Sequence, residues 1–349
     1  MSLTHEFRPG LEFDVVALER HLGAHLPAFK GPLRVTQFPG GQSNPTYRLE
    51  GLGVNYVLRR KPPGTLLPSA HAIEREFRVM QALATHTQFP VAQPLLLCED
   101  VAVIGTAFYV MQYMEGRVFW DPCLPELPRE QRRPVFAAMV QTLAQLHSID
   151  YRAIGLADFG RPEGYVARQI ARWSKQYTVD AQTAGAVPDM ERLIDWLPRH
   201  APAEEPAPTL LHGDYRLDNM MFDPHSARVL GVLDWELSTI GDPLADFAYN
   251  LMIYRISSDG VRGLGGVDVK AIGLPDEREY IEAYCAHRGL SGLPDLHYYL
   301  TYCLFRLAGI CHGIAGRVQR GTAVSPQAKK YAAQVGPLSA LAWRTAQGD

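Results

Sequence analysis

The sequence predicts an α+β fold, in which a small region of short strands precedes a larger, mainly helical region. Apolar runs of strand length, separated by turn residues, occupy residues 33–112. From residue 130 onward, apolar residues recur mostly at the spacing of an amphipathic helix. A hairpin pattern at residues 211–236 interrupts the helical region. Strands and helices that are segregated along the chain in this way are typical of α+β proteins.

The composition indicates a folded protein that is large enough for two buried cores. The chain has 349 residues, of which 47% are hydrophobic and 20% are charged, and this balance argues against disorder. The formal net charge of −3 gives no basic excess of the kind that binds nucleic acid or anionic membranes. We therefore expect no nucleic-acid partner.

Cysteine usage indicates a reducing compartment, and hydropathy indicates a protein without a membrane-spanning segment. The five cysteines are scattered and form no CxxC pair, so we expect free thiols and neither disulfides nor a zinc site. No apolar run reaches the length of a membrane span, and the first ten residues lack the pattern of a signal peptide. We expect a cytoplasmic protein without an integral membrane segment.

The first 50 residues predict a helix and then two strands. Apolar residues recur on one helical face across residues 11–29, so residues 1–33 are predicted to form a helical extension. Strands at 33–38 and 46–50 enclose a loop whose backbone amides could bind phosphate, although a plain hairpin turn is the alternative. The candidate phosphate-binding residues of this loop are Gly41, Ser43 and Asn44.

The third predicted strand, at residues 55–61, is basic at its end. Alternate side chains of a strand share a face, so Val57, Arg59 and Lys61 lie on one side of it. Periodicity and turn residues predict the remaining elements: a helix at 71–83, strands at 94–98 and 107–112, and helices at 130–147, 165–177, 189–197 and 296–320.

The hairpin stretch contains the polar residues that are best suited to catalysis or metal binding. Asp214 and Asn219 precede its first apolar run, whereas Asp234 and Glu236 follow its second. Because a hairpin brings its ends together, we expect Asp214, Asn219 and Asp234 to converge. Carboxylate and amide oxygens suit Mg²⁺ and a substrate hydroxyl.

This spacing resembles the catalytic loop of the protein-kinase-like superfamily. His212-Gly213-Asp214, four further residues, Asn219 and then Asp234-Trp235-Glu236 are similar to the motifs of the aminoglycoside phosphotransferase family. The resemblance implies a two-lobed fold with a small, mainly antiparallel N-lobe at 34–115 and a larger helical C-lobe at 116–349. It also implies transfer of the γ-phosphoryl group of ATP to a hydroxyl, with Mg²⁺ as cofactor.

The family's roles transfer to matching positions. Asp214 would be the catalytic base, while Asn219 and Asp234 would bind Mg²⁺. Arg59 stands where protein kinases carry the phosphate-binding lysine, with Lys61 as the alternative. The family's helix glutamate, which pairs with that basic residue, would be Glu76 or Glu74. Val57 would contact the nucleotide, and the Gln112 carbonyl and Met114 amide would bind adenine at the hinge.

The acceptor is predicted less directly. The run from Tyr56 to Leu83 resembles the kinase-like domain that accompanies acyl-CoA dehydrogenases, which implies a 4-hydroxyacyl-CoA or hydroxy acid and a functional link to such a dehydrogenase. An aminoglycoside- or choline-type kinase and a nucleotide-binding pseudokinase scaffold are the alternatives. Arg306 and Arg317 fall on one helical stripe that could bind an anionic acceptor, and Glu236 is a further acceptor-binding candidate.

Overall fold

The computed structural model describes residues 7–38, 44–64, 72–260, 262–323, 325 and 327–348. These residues form two compact units. The first unit combines the chain up to Arg117 with Met220–Ser238, and the second combines Val118–Asn219 with the chain from Thr239 onward. The predicted bounds of 1–33, 34–115 and 116–349 stay a prediction, and they differ from this division in the position of the hairpin.

The strands fall into one five-stranded sheet and two short ladders. Their bounds are β1 Arg34–Gln37, β2 Thr46–Gly51, β3 Val54–Arg60, β4 Pro94–Cys98, β5 Phe108–Gln112, β6 Thr209–Leu211, β7 Met220–Phe222, β8 Val229–Val232 and β9 Thr239–Gly241. The sheet has the order β1-β2-β3-β5-β4, with every neighbouring pair antiparallel. β3 is therefore central, and Arg59 lies in register between Thr46 of β2 and Tyr109 of β5.

The six helices predicted from periodicity are all present, and the described residues contain further helices that were not predicted. Their bounds are α1 Val15–His25, α2 Ile73–His86, α3 Val101–Ile104, α4 Arg129–His147, α5 Tyr165–Ala184, α6 Pro188–Arg199, α7 Pro243–Leu251, α8 Glu277–Arg288, α9 Leu296–Gln319, α10 Ala328–Ala332 and α11 Val335–Gln347. The side chain of Asp14 caps α1 by accepting a hydrogen bond from the Ala17 amide, as the preference for aspartate at this position leads one to expect.

Alternation along β3 separates a hydrophobic core from a polar face in the first unit. Tyr56 and Leu58 are buried in a core cluster that includes Leu18 and Leu22 of α1. Arg59, one residue further along, instead contacts Glu76 of α2. Successive side chains of a strand point to opposite faces, so the sheet presents its central arginine away from the α1 core.

The β7–β8 hairpin packs against the first unit. The Arg117 and Phe222 backbones exchange two hydrogen bonds, and the Val232 amide donates to the Pro90 carbonyl at 2.9 Å. A side chain at Gly116 would meet Met221, because a Cβ there would lie 2.5 Å from its Cγ. These contacts explain why residues 220–238 belong to the first unit although they lie far along the chain.

The second unit is built around α9. This 24-residue helix packs against α5, α7, α10 and α11 and buries most of its length. The ladder of β6 and β9 lies in the same unit, with Leu210 opposite Ile240. None of the helices in the described ranges is both long enough and apolar enough to cross a membrane.

Candidate active site

The loop that begins with His212 is anchored through its backbone. β6 ends at Leu211, and Gly213 adopts a positive φ of 84°, which glycine reaches without steric strain. The amides of His212 and Gly213 donate to the two carboxylate oxygens of Asp246 on α7, at 2.8 and 2.9 Å. One buried carboxylate therefore fixes both peptides that precede Asp214.

Asp246 stays ionised although it is buried. Burial acts to raise the pKa of Asp246, but the hydrogen bond from His147 and the loop amides bring it below its ordinary value. Nε2 of His147 lies 3.3 Å from this carboxylate, and its Nδ1 lies 2.7 Å from the Tyr284 hydroxyl. His147 therefore supports the carboxylate that holds the loop.

The Asp214 carboxylate makes contacts through both of its oxygens. Oδ1 accepts a hydrogen bond from the Tyr249 hydroxyl at 2.8 Å and lies 3.3 Å from Nε of Arg216. Oδ2 accepts a hydrogen bond from the Asn219 side-chain amide at 3.1 Å. A second guanidinium nitrogen of Arg216 lies 3.3 Å from Asp218. The carboxylate is thus oriented by neighbours and is not a freely rotating surface group.

The side-chain amide nitrogen of Asn219 donates two hydrogen bonds, one to the Asp214 carbonyl and one to the Asp214 carboxylate. A hard cation binds the oxygen of an amide and not its nitrogen, so this arrangement fits the predicted Mg²⁺ ligand. The structure thus brings Asn219 onto Asp214. Asp234 belongs to the first unit, and the convergence of all three residues stays a prediction.

Arg59 is the centre of the polar cluster in the first unit. Only 8% of this residue is exposed, and its guanidinium contacts three carboxylates. Nε lies 2.9 Å from Glu76, while one terminal nitrogen lies 2.6 Å from Asp234 and 3.5 Å from Glu236. A planar fork of donors matches such multiple carboxylate contacts better than an ammonium group does.

Three side chains donate to the Glu76 carboxylate. Besides Arg59, the Asn44 side-chain amide donates to it at 2.8 Å and the Tyr109 hydroxyl at 3.0 Å. Burial raises the pKa of Glu76, and the Arg59 guanidinium opposes that rise. The alternative residues form their own pair, because Lys61 lies 3.0 Å from Glu74. The structure therefore pairs Arg59 with Glu76 and leaves Lys61 outside this cluster.

Asp234 has an unusual backbone. Its φ of 63° and ψ of 66° lie in the left-handed region, which residues with a side chain seldom adopt. Trp235 fixes the next position, because it is fully buried, donates from its indole to the Val232 carbonyl at 3.0 Å and packs on Phe89. Such strained conformations occur often at functional sites, where the surrounding packing maintains them.

Asp234 is also the first unit's candidate metal ligand. In the ranges that the structure describes, no three His, Cys, Asp or Glu side chains form a metal cluster of their own. That finding is compatible with Mg²⁺, which is often bound by one or two protein oxygens together with substrate phosphates and water. Because Arg59 contacts Asp234 in this structure, a cation at this carboxylate would compete with the guanidinium.

The predicted nucleotide-binding positions are placed as follows. Val57 is buried on β3 opposite Met111, and Gln112 ends β5. Met114 contacts the hairpin where Gly231 lacks a side chain, since a Cβ there would lie 2.5 Å from the methionine Cε. The side chain of Asn44 holds Glu76, and Gly41 and Ser43 lie outside the described residues.

The predicted arginine stripe for an acceptor does not form as one exposed surface. Arg317 is exposed, but only 8% of Arg306 is exposed, and it donates to the Gly213 carbonyl at 2.9 Å. The two residues share a helical stripe but lie about 16 Å apart along the axis, so one falls in the core and the other does not. Glu236 contacts Arg59. The acceptor-binding roles of Arg317 and Glu236 stay predictions.

Tyr249 is the main site residue that sequence reasoning missed. It lies three positions after Asp246 on α7, but nothing in a helical pattern marks a tyrosine hydroxyl as the partner of a carboxylate 35 residues away. Tyr109 was missed for the same reason, since it appears in the sequence as an ordinary apolar strand residue.

Comparison with known proteins is consistent with this geometry. Residues 34–294 match the phosphotransferase enzyme family. The chain is 44% identical over 343 residues to acyl-CoA dehydrogenase family member 10 of Mus musculus, and 45% identical over 344 residues to acyl-CoA dehydrogenase family member 11 of Gallus gallus. These alignments cover 97% and 96% of this chain but 32% and 44% of the two relatives. The chain thus spans less than half the length of these curated relatives.

Solved structures agree on the fold. A candidate aminoglycoside phosphotransferase from Ralstonia eutropha is 45% identical with a TM-score of 0.88, and the match covers 97% of this chain and 99% of that one. Aminoglycoside phosphotransferase APH(4)-Ia, in a ternary complex with AMP-PNP and hygromycin B, is 16% identical with a TM-score of 0.62, over 95% of this chain and 99% of that one. The latter likeness concerns the fold alone.

The predicted kinase-like α+β fold and the predicted phosphotransferase are confirmed. The chain belongs to the phosphotransferase enzyme family.

Proposed function

We propose that this protein transfers the γ-phosphoryl group of ATP to a hydroxyl group of a small molecule. The observation that carries this proposal is the Asp214 carboxylate, which is oriented by Tyr249 and Asn219 on a loop anchored to Asp246. A carboxylate fixed in this way can accept the proton of an acceptor hydroxyl and hold that hydroxyl in line for attack.

Arg59 and its carboxylate partners are the proposed nucleotide-binding residues of the first unit. A buried guanidinium carries a full positive charge, and its fork matches phosphate oxygens as well as carboxylates. Glu76 keeps this cation in place while Asn44 and Tyr109 orient the glutamate. Val57, Gln112 and Met114 are the proposed contacts for the base of the nucleotide.

Asn219 and Asp234 are the proposed ligands of Mg²⁺. When bound, Mg²⁺ neutralises phosphate charge during transfer. The role of the chain's own residues is to present hard oxygen atoms, and the strained backbone of Asp234 fixes the orientation of one of them. The Arg59 guanidinium could then bind either the carboxylates that contact it in this structure or the phosphates of the nucleotide.

We further propose a 4-hydroxyacyl-CoA or a related hydroxy acid as the acceptor, with a functional link to an acyl-CoA dehydrogenase. The names of the two relatives at 44% and 45% identity support this proposal. Arg216 supports it independently, because it contacts both Asp214 and Asp218 and neutralises part of the acidic charge of the loop. A site that binds a polycationic acceptor would be expected to be more acidic than this partly neutralised loop.

The aminoglycoside- or choline-type kinase is the alternative within the same chemistry. The name of the protein from Ralstonia eutropha, at 45% identity, supports it. A pseudokinase scaffold is the alternative from another class, and the presence of Asp214, Asn219 and Asp234 together argues against it.

An acceptor panel tests the proposal. The protein is incubated with MgATP and, separately, with 4-hydroxypentanoyl-CoA, a free hydroxy acid, an aminoglycoside and choline, and formation of the phosphate ester is followed by mass spectrometry. We expect the ester of an anionic acceptor. Phosphorylation of only the cationic acceptors would refute the acceptor class, whereas nucleotide binding without any turnover would favour the scaffold.

A further inference from the structure

Arg306 of α9 is a charged residue that is buried in the second unit. Only 8% of the residue is exposed. Among the residues that the structure describes, no carboxylate lies within ion-pair distance of its guanidinium. Burying a charge is unfavourable unless other groups stabilise it, and arginine does not escape the penalty by losing its proton. The groups around Arg306 must therefore supply that stabilisation.

Two of those groups belong to the Asp214 site. A terminal nitrogen of Arg306 donates to the Gly213 carbonyl at 2.9 Å, and the guanidinium carbon lies 4.7 Å from the ring centre of Tyr249. A guanidinium over an aromatic face is attracted by the ring quadrupole, more strongly when water is excluded. Arg306 thus contacts the residue before Asp214 and the tyrosine that binds Asp214.

Tyr249 completes the connection. Its hydroxyl donates to Oδ1 of Asp214 at 2.8 Å, and only 4% of the residue is exposed. Burial raises the pKa of Tyr249, so its phenol remains a neutral donor at any physiological pH. The ring is held between the Arg306 guanidinium on its face and the Asp214 carboxylate at its hydroxyl.

We propose that Tyr249 and Arg306 are positioning residues that hold the Asp214 carboxylate in the orientation required for phosphoryl transfer. This inference rests on the proposed function of Asp214 as the base. A hydrogen bond to Oδ1 restricts rotation of the carboxylate, and Arg306 fixes both the tyrosine ring and the Gly213 peptide. The acceptor hydroxyl then contacts the base in a single orientation. Proximity contributes most to the rate when the reacting groups are held in this way.

The chain offers a matched control for Tyr249. Tyr299 is equally buried and donates from its hydroxyl to the Asp242 carboxylate, also at 2.8 Å. Asp242 caps α7 by accepting a hydrogen bond from the Leu244 amide and has no part in the proposed chemistry. Tyr249→Phe and Tyr299→Phe therefore delete the same chemical group from the same kind of pair, once beside the base and once away from it.

The experiment compares these variants in steady-state kinetics. The readouts are transfer to 4-hydroxypentanoyl-CoA, slow hydrolysis of MgATP with water as acceptor, AMP-PNP affinity and thermal unfolding. We expect Tyr249→Phe to lower kcat about 10–100-fold, as loss of an orienting partner typically does, with KM for ATP and AMP-PNP affinity unchanged. Tyr299→Phe should lower the unfolding temperature similarly and leave kcat at the wild-type value.

Arg306 is tested by loss and rescue. Arg306→Met removes both contacts and should lower kcat at least as much as Tyr249→Phe does. Arg306→Lys keeps a cation and one donor for the Gly213 carbonyl, and it should recover part of that loss. A Lys variant no more active than the Met variant, at equal thermal stability, would contradict the role of Arg306.

Asp214→Asn separates failure of this inference from failure of the proposed function. If Asp214→Asn abolishes turnover while Tyr249→Phe and Tyr299→Phe both retain wild-type kcat, the positioning role is overturned and the base assignment stands. If Asp214→Asn itself retains wild-type kcat, the proposed function fails and the positioning role fails with it. Loss of kcat in Asp214→Asn and Tyr249→Phe, but not in Tyr299→Phe, supports both.

Discussion

Arg59 and Arg306 are two arginines with the same exposed fraction, 8%, in opposite surroundings. In the first unit, Arg59 lies within ion-pair distance of Glu76, Asp234 and Glu236. In the second unit, Arg306 is stabilised by a backbone carbonyl and an aromatic face. The first site balances charge with charge, whereas the second stabilises a charge with dipoles and a ring quadrupole.

The difference indicates what each site is suited to do. Carboxylates can be replaced by other anions, so Arg59 can exchange part of its contacts for phosphate oxygens. A peptide carbonyl and a buried ring cannot be exchanged, so Arg306 fixes geometry. We interpret the first site as a binding site for an anionic ligand and the second as a rigid support for the base.

The largest difference should appear in stability. Arg59→Met removes the cation that Glu76, Asp234 and Glu236 share, and breaking a buried ion-pair cluster typically destabilises a protein by about 3–5 kcal/mol. Arg306→Met leaves a buried carbonyl without its donor, which typically amounts to about 1–3 kcal/mol. Urea denaturation of the two variants measures both free energies of unfolding.

A double substitution sharpens this test. Replacing both partners of a buried ion pair with apolar residues is often nearly neutral, so Arg59→Met combined with Glu76→Leu should recover much of the lost stability. Equal destabilisation by the two single Met variants, without such recovery, would mean that the two arginines are stabilised in the same way.

A smaller difference should appear in pH dependence. Burial raises the pKa of Glu76 to about 7, from 4.5. A carboxyl group whose pKa is raised on folding contributes stability that is present below pH 4.5 and is lost as the pH rises through about 7. Wild type should therefore lose stability relative to Glu76→Gln between pH 5 and pH 8, by about 1–3 kcal/mol.

Arg306→Met provides the contrast for that experiment. Because no carboxylate within the described ranges forms an ion pair with Arg306, the deficit of this variant should stay constant over the same pH range. Urea denaturation at several pH values measures both differences. A wild-type stability that rises relative to Glu76→Gln as pH increases would show that Glu76 titrates below its ordinary range.

Much of the fold was predictable because it depends on local patterns. Periodicity placed the five strands of the sheet to within one residue, with β4 at its observed bounds, Pro94–Cys98, whereas α3, α8, α10 and α11 were not predicted. The pairing of β6 with β9 was not predicted, because two three-residue strands separated by 27 residues leave no pattern that a window detects. The hairpin between them belongs to the other unit, which only tertiary contacts reveal.

The candidate site was predictable where the spacing of polar residues along the chain matches a catalytic motif. Asp214 and Asn219 were paired on the loop as expected, and the choice between Glu74 and Glu76 was decided only by the structure. Helical spacing correctly placed Arg306 and Arg317 on one stripe. Spacing gives direction around a helix but not what lies against each turn, so the burial of Arg306 could not be predicted.

The central claim is that the chain is a phosphotransferase in which nucleotide binding and base catalysis use separate groups. The most direct measurement combines AMP-PNP titration, with and without Mg²⁺, and turnover for Asp214→Asn and Asp234→Ala. We expect Asp214→Asn to bind AMP-PNP as wild type does while its turnover falls about 10²–10⁴-fold. Asp234→Ala should lose the Mg²⁺-dependent part of its affinity. Wild-type turnover in Asp214→Asn, or unchanged Mg²⁺-dependent affinity in Asp234→Ala, would contradict the account.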